Sequence, residues 1–132
     1  MQARTAPPSP KLLPYEVAIL EAVGSSLPTA LSELLSKQLA VVNKVQRLLE
    51  WTEIELYCMR WFKVRWPEEV LFPRRDEHSL GRVTCVFGAV EVPIEVWAVG
   101  GHVFSLESPI GLRSLARSGG PFEVRRTGKP TA

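Results

Sequence analysis

The sequence has few cysteines and no long hydrophobic run. Two cysteines, Cys58 and Cys85, among 132 residues are too few for a disulfide framework. No apolar stretch approaches the ~20 residues of a membrane-spanning helix, and the first residues lack the apolar core of a signal peptide. We therefore expect a cytoplasmic protein whose two thiols are packed in the core.

Sequence motifs of catalysis and cofactor binding are also missing. There is no Gly-rich phosphate loop, no Gly-x-Ser-x-Gly elbow and no Cys-x-x-Cys pair. A cysteine nucleophile needs a nearby base, and neither cysteine has a histidine in its local sequence. The sequence thus indicates no catalytic residue, no metal site and no cofactor, and it does not favour an enzyme.

Positive charge is concentrated at the two ends of the chain. The net charge is +2 overall, +2 in residues 1–11 and +4 in residues 108–132, which leaves −4 for the part between them. A nucleic-acid-binding domain usually carries its basic patch on the folded part, so nucleic acid is not the expected partner. We predict a disordered leader at 1–11, a single folded domain at 12–117 and a basic flexible tail at 118–132.

Two helices are predicted before residue 50. Pro14 is typical of a first helical position and Gly24 of a helix stop, which bounds a short first helix. From Leu31 to Leu49 apolar residues recur at helical spacing, which predicts a second helix of about 20 residues with one buried face. Gln38 lies on that apolar face, where its amide either reaches backbone or solvent at the edge or lines a pocket.

The hydrophobic period then changes from helical to alternating. Ile54, Leu56 and Cys58 alternate with polar residues, which predicts a strand with one face inward. Arg60 falls on the same inward face, where an unpaired charge is costly. We therefore expect a bend at this position, with the Arg60 side chain reaching a carboxylate.

A meander of three strands follows a charged connection that contains two prolines. The alternating runs and turn residues predict these strands and a short final helix at 82–87, 90–99, 102–107 and 109–117. Helices segregated to one face of an antiparallel sheet are typical of an α+β domain. We expect two N-terminal helices packed on one face of an antiparallel sheet of about four strands that ends in the meander.

Turns at Gly88-Ala89 and Gly100-Gly101 predict the register of the meander. That register pairs Arg82 with Glu95 and leaves an unusual set of side chains on the side away from the helices. This set, called the outward patch, comprises Leu80, Arg82, Glu95, Trp97, Phe104 and Leu106. Exposed apolar patches mark partner sites, and Trp is enriched at interface hot spots. The alternative is that the helix at 109–117 folds back and covers the patch.

Four glutamates also face outward on the predicted strands. They are either an acidic surface for a basic partner or ordinary solvated side chains: Glu53, Glu55, Glu91 and Glu95. A different hypothesis places a pocket between the long helix and the sheet, for a small ligand or a hydrolytic reaction. Its polar groups come from Gln38, Arg60, His78 and His102.

Residues 72–77 (Phe-Pro-Arg-Arg-Asp-Glu) and 96–107 resemble small uncharacterised bacterial α+β proteins. In these proteins a helical N-terminus precedes a sheet that ends in a Gly-x-x-Phe-Ser-Leu-Glu-like strand. The resemblance carries no catalytic residue. Some proteins of this size and kind are immunity proteins of bacterial toxin systems, which is an analogy of size and charge and not of site chemistry.

The leading hypothesis is a non-enzymatic protein-binding module, such as a cytosolic immunity protein that neutralises a basic toxin domain. Its partner is a protein that binds the outward patch. A homodimer through that patch is an alternative, and the pocket for a small ligand is the runner-up. Neither a membrane nor a nucleic acid is an expected partner.

Overall fold

The structure, a computed structural model, describes residues 7–126 and forms an α+β fold. Within that range the helices are α1 (Pro14–Gly24), α2 (Thr29–Val41) and α3 (Arg113–Arg117). The strands are β1 (Lys44–Leu48), β2 (Glu53–Tyr57), β3 (Met59–Arg60), β4 (Lys63–Val64), β5 (His78–Phe87), β6 (Val90–Val99), β7 (His102–Glu107) and β8 (Phe122–Arg126). Six of them form an antiparallel sheet in the order β1-β2-β7-β6-β5-β8, and β3 pairs with β4 in a separate ribbon.

The first helix begins and ends where the sequence predicts, at Pro14 and Gly24. One side of α1 is apolar, and Ile19, Leu20 and Val23 are buried on it. This side packs against β5, β6 and β8, while α2 contacts β7. The helices thus cover one face of the sheet, called the inner face, and the core lies between the two layers.

The second helix is shorter than predicted, because it ends at Val41 and residues 44–48 form β1. Asn43 marks the change. Its side chain donates to the carbonyl of Met59 at 3.0 Å and accepts from the N–H of Met59 at 2.7 Å. These bonds hold the chain after α2 alongside the residues that follow β2, so the helix does not continue. The apolar residues after Val41 fit a helical spacing by coincidence, since Val45 faces the core with a period of two.

The meander forms with the predicted pair Arg82–Glu95, and Val99 lies opposite His102 across the predicted Gly100–Gly101 turn. Two β-bulges, at Leu80 and at Phe104, interrupt the register. Because side chains alternate with a period of two, one extra residue reverses the facing of everything beyond it. The expected outward positions of Leu80 and Leu106 are therefore wrong: Leu80 packs against the core and Leu106 is buried within it.

A strand occupies part of the predicted C-terminal tail. Residues 122–126 form β8, which pairs with β5 so that Val124 lies opposite Cys85. An unpaired strand edge is a template for pairing with a further segment, and β8 occupies that edge of β5. Together with β1 it brings the sheet to six strands, two more than expected. At the other end, the N–H of Ser9 donates to the carbonyl of Leu39 at 2.9 Å. The remaining predicted leader and tail, residues 1–6 and 127–132, lie outside the described residues.

The predicted bend near Arg60 is present, and it turns the chain into the ribbon of β3 and β4. The side chain of Arg60 is exposed, and no carboxylate of residues 7–126 forms an ion pair with it. The expectation that Arg60 reaches a carboxylate is therefore wrong. After the bend the residue no longer faces the core, so water solvates its charge.

A buried ion pair joins α1 to β1. Glu16 is fully buried and accepts two hydrogen bonds from Arg47, at 2.8 Å from Nε and 2.7 Å from Nη2. The same carboxylate accepts from the N–H of Leu13 at 2.8 Å at the start of α1. The Arg47 guanidinium also lies 5.3 Å from the centre of the Trp51 ring. This bidentate geometry and the extra donor offset the desolvation of the charges.

Gln38 links α2 to two loops at the end of the sheet. Its fully buried amide donates to the carbonyls of Val70 at 2.7 Å and Gly101 at 3.1 Å, and accepts from the N–H of Val103 at 2.8 Å. Both amide hydrogens are thereby used. Of the two roles expected from the sequence, the structure shows the one in which the side chain reaches backbone.

Replacing Arg47 with Met is expected to lower the free energy of unfolding by about 3–5 kcal/mol, because the buried Glu16 carboxylate loses its partner. The double variant Glu16→Leu with Arg47→Met should recover most of that loss, since no charge is then buried. Urea denaturation of the three proteins tests this expectation. Equal stability of Arg47→Met and the wild type would contradict it.

Replacing Gln38 with Met keeps the side-chain volume but leaves the carbonyl of Val70 and the N–H of Val103 without their partner. We expect a loss of about 2–6 kcal/mol in the free energy of unfolding, at about 1–3 kcal/mol for each of the two orphaned groups. The neighbouring exposed residue supplies a matched control, and Lys37→Met should change stability by less than about 0.5 kcal/mol. Urea denaturation measures both.

Candidate partner-binding face

The candidate site is the face of the sheet opposite the helices, called the outer face. Three aromatic side chains lie half-buried on it, on β2, β6 and β7: Tyr57, Trp97 and Phe104. The rings of Tyr57 and Phe104 meet edge to face, with centroids 5.9 Å apart. Phe104 lies at the bulge of β7, where Ala98 is opposite Val103 and Trp97 is opposite Ser105.

Three glutamates line up directly across three neighbouring strands on the outer face. Glu53 on β2 lies opposite Glu107 on β7, and Glu107 lies opposite Glu95 on β6. Burial first, and then repulsion from Glu53, Glu77 and Glu95, raises the pKa of the Glu107 carboxyl above its usual range, while the Trp97 indole partly opposes the shift. Like charges in opposite cross-strand positions destabilise a sheet.

Among residues 7–126, the ion pair found in this glutamate row is that of Glu95 with Arg82, at one end of the row. Glu95 accepts from the Ser79 hydroxyl at 2.6 Å and from the Arg82 guanidinium at 2.8 Å. These two bonds lower the pKa of Glu95. Beside the row lies a shallow depression of about 380 Å³, lined by Arg82, Pro93, Glu95, Glu107, Ser108 and Pro109. The outer face therefore combines a concave acidic area with neighbouring aromatic rings.

The helix after the meander leaves this face open. Leu115 and Ala116 of α3 share a groove with Tyr15 and Phe87, and Leu112 is buried in the core. The helix thus lies on the inner side, and the alternative in which it covers the predicted patch is wrong. The short segment before α3 is held by Gly111, whose Cα lies so close to the carbonyl of Glu50 that a Cβ would come within 2.7 Å of it.

Four of the six residues in the predicted outward patch lie together on the outer face. These are Arg82, Glu95, Trp97 and Phe104. The sequence did not indicate Glu107 or Tyr57. Glu107 faces outward because the bulge at Phe104 reverses the residues that follow it, and the place of Tyr57 depends on β2 lying next to β7. The alternation that marked Glu53 as outward was a usable signal, but nothing local to it indicated that Glu107 would lie opposite.

The four residues of the alternative pocket are not brought together. Gln38 is engaged by backbone and Arg60 is exposed on the ribbon. His102 stacks on Trp66, with ring centroids 4.4 Å apart, and burial lowers its pKa. His78 donates to the carbonyl of Asp76 at 2.9 Å and lines a groove with Leu27, Leu31, Phe72, Pro73, Arg74, Ser79 and Leu80.

Both cysteines are buried and unpaired with each other. Burial raises the pKa of the Cys85 thiol to about 11 and also raises that of Cys58, so both are protonated at neutral pH. Among the described residues, no group of three or more His, Cys, Asp or Glu side chains is arranged to hold a metal ion. No helix within residues 7–126 has the length and apolar character needed to cross a membrane.

Comparison with known proteins adds no relative, since no protein-family model, curated protein or solved structure matches this chain. The geometry of the outer face is therefore the basis on which its function is inferred.

Replacing Glu107 with Gln is expected to raise the free energy of unfolding at neutral pH by a few tenths of a kcal/mol. Because the pKa of Glu107 is raised on folding, the folded state holds its proton more tightly. The wild type therefore loses stability as the pH rises from the ordinary carboxyl range through the pKa of Glu107 in the folded state. Urea denaturation should show the gain at pH 7 and none below about pH 4.

Glu91→Gln is the matched control for this change. Glu91 lies on the same strand as Glu95, but its carboxylate is 3.5 Å from the Arg125 guanidinium. Its removal should leave stability unchanged or lower it slightly, because an exposed ion pair contributes little. A gain for Glu91→Gln equal to that for Glu107→Gln would mean that general charge reduction, not the row, is responsible.

Proposed function

We propose that this protein is a binding module whose outer face docks a basic protein. The row of Glu53, Glu107 and Glu95 carries the proposal, because these carboxylates lie directly opposite one another and their ion pair within residues 7–126 is at the Glu95 end. A fold that keeps like charges in register retains a destabilising arrangement. A partner that places a Lys or Arg side chain over Glu107 relieves the repulsion, so the unfavourable energy of the free protein becomes affinity in the complex.

The aromatic side chains next to the row favour a protein as the partner. Interface centres are enriched in Tyr, Trp and Phe, with charged residues towards the rim. On the outer face Trp97 lies one position from the glutamate row along β6, and Phe104 contacts Tyr57 on the neighbouring strand. A partner with an apolar centre and a basic rim is complementary to this arrangement.

The local charge of the row supports the same kind of partner. Residues 12–107 carry a net charge of −4, but residues 108–126, which include α3 and β8, carry +3 and Lys11 carries +1, so residues 7–126 are neutral overall. The attraction for a basic protein therefore comes from the glutamate row itself and acts over about one Debye length. Immunity to a basic toxin domain is one biological setting that matches this charge and size, in a cytoplasmic protein. That setting is a proposal by analogy, whereas the basic partner follows from the charges themselves.

Capture of the partner from a lysate of the source organism tests the proposal with Glu107→Lys. A lysine at the centre of the row lies between Glu53 and Glu95, so this variant is expected to be at least as stable as the wild type. It should nevertheless lose the partner by roughly tenfold or more, since a like-charge juxtaposition at an interface costs several kcal/mol. Loss of binding together with retained stability separates docking from folding.

Glu33→Lys is the matched control, since it makes the same charge change at an exposed position of α2, on the other side of the molecule. It should retain the partner as well as the wild type does. Binding by the wild type should also weaken at raised ionic strength. If Glu107→Lys captures the partner as well as the wild type does, the outer face is not the docking site.

A further inference from the structure

The ribbon of β3 and β4 presents two aromatic side chains to solvent at its tip. Trp61 and Phe62 form the two-residue turn between the strands and are 86 % and 97 % exposed. The ribbon pairs only with itself and not with the six-stranded sheet. Val64 behind the tip is exposed as well. A large apolar surface on a protruding turn stabilises nothing in the folded domain, and such surfaces mark interaction sites.

The backbone of the tip is of a kind that aromatic residues disfavour. Trp61 and Phe62 have φ angles of 51° and 67°, as the two central residues of a type I′ turn do. Turns of this type favour Asn-Gly, because side chains with a Cβ are strained in the left-handed region. Strain held at an exposed position points to function, and here the strained residues are also the most exposed aromatics of the described chain.

Three cations surround the tip. Arg60 and Lys63 lie opposite each other at its base, Arg65 follows two residues later, and all three are exposed. No carboxylate of residues 7–126 forms an ion pair with any of them. The tip is thus a convex apolar end with a basic collar.

We infer that the tip binds an anionic lipid bilayer surface. Aromatic rings favour the membrane–water interface, where their apolar body is buried among the headgroups. Basic residues at that depth meet lipid phosphates, and each strengthens binding to an anionic surface roughly fivefold. Because the tip is a two-residue turn with both rings exposed, it suits a soft surface that closes around it. The grooves that stack single-stranded nucleic acid are concave, and the tip is not.

The charge distribution also sets an orientation. An anionic surface attracts the collar of Arg60, Lys63 and Arg65 and repels the glutamate row of the outer face. The tip therefore enters the headgroup region while the outer face stays in water. None of the tip residues belongs to the outer face, so membrane contact and protein docking can be tested separately.

The test is co-sedimentation of the full chain with phosphatidylcholine vesicles, with and without phosphatidylserine. The variant W61N/F62G removes both rings and supplies the residues that the turn favours, so it is expected to fold. It should bind the phosphatidylserine vesicles at least tenfold more weakly than the wild type. R60Q/K63Q/R65Q should bind them on the order of a hundredfold more weakly, and pure phosphatidylcholine should bind the wild type poorly.

Leu49→Asn supplies the matched control. Leu49 is 75 % exposed in the β1–β2 turn and has a φ of 50°, but it is followed by Glu50 and has no basic collar. This variant should bind phosphatidylserine vesicles as the wild type does. Fluorescence of the wild type should shift to shorter wavelength on binding, and W61N/F62G should show no shift.

Three outcomes would overturn the inference. In the first, the wild type does not sediment with phosphatidylserine vesicles. In the second, W61N/F62G sediments as well as the wild type. In the third, an oligothymidylate binds the wild type through the same residues and displaces the vesicles, which would assign the tip to single-stranded nucleic acid. Circular dichroism of each variant verifies that a loss of binding is not a loss of fold.

Discussion

The arrangement of this fold depends on the hydrogen bonds of one buried amide, that of Gln38. It fixes α2 to the Gly100–Gly101 turn and to the loop at Val70, which also bonds to the turn through the N–H of Phe72. The turn sets where β7 begins, and hence the register in which β7 meets β6. A buried polar group is costly unless all its bonds are made, so this packing specifies one position of the helix relative to the sheet.

The position of β7 in turn decides the chemistry of the outer face. β7 lies between β2 and β6, and the bulge at Phe104 turns Glu107 outward, so that Glu107 comes between Glu53 and Glu95. The Phe104 ring contacts Tyr57 on the same face. The core fixes this juxtaposition on the inner side, where Ile54, Leu106 and Val96 occupy successive buried positions. The repulsion on one face is therefore held in place by apolar burial on the other.

Within residues 7–126, two turns adopt left-handed backbone at residues that disfavour it. Leu49, Glu50 and Trp51 do so between β1 and β2, and Trp61 and Phe62 at the ribbon tip. The first turn is supported by an ion pair of Glu50 with Arg113 at 3.3 Å and by the stacking of Arg47 on Trp51. The tip has no comparable support in the described chain, which is why its aromatic residues indicate binding and not folding.

The sequence alone determined the elements whose signals are local. Pro14 and Gly24 bound α1, alternation gave the inward face of β2, and the Gly-Gly turn set the pairing of Val99 with His102. Tertiary structure decided what depends on distant partners: β1 replaced the end of a helix because β2 offered it a ladder, and β8 formed on the free edge of β5. It also decided the two bulges, which reversed Leu80 and Leu106, and the strand order that aligned the glutamates. A side-chain pattern reports which residues avoid water, but hydrogen bonding between strands decides which of them meet.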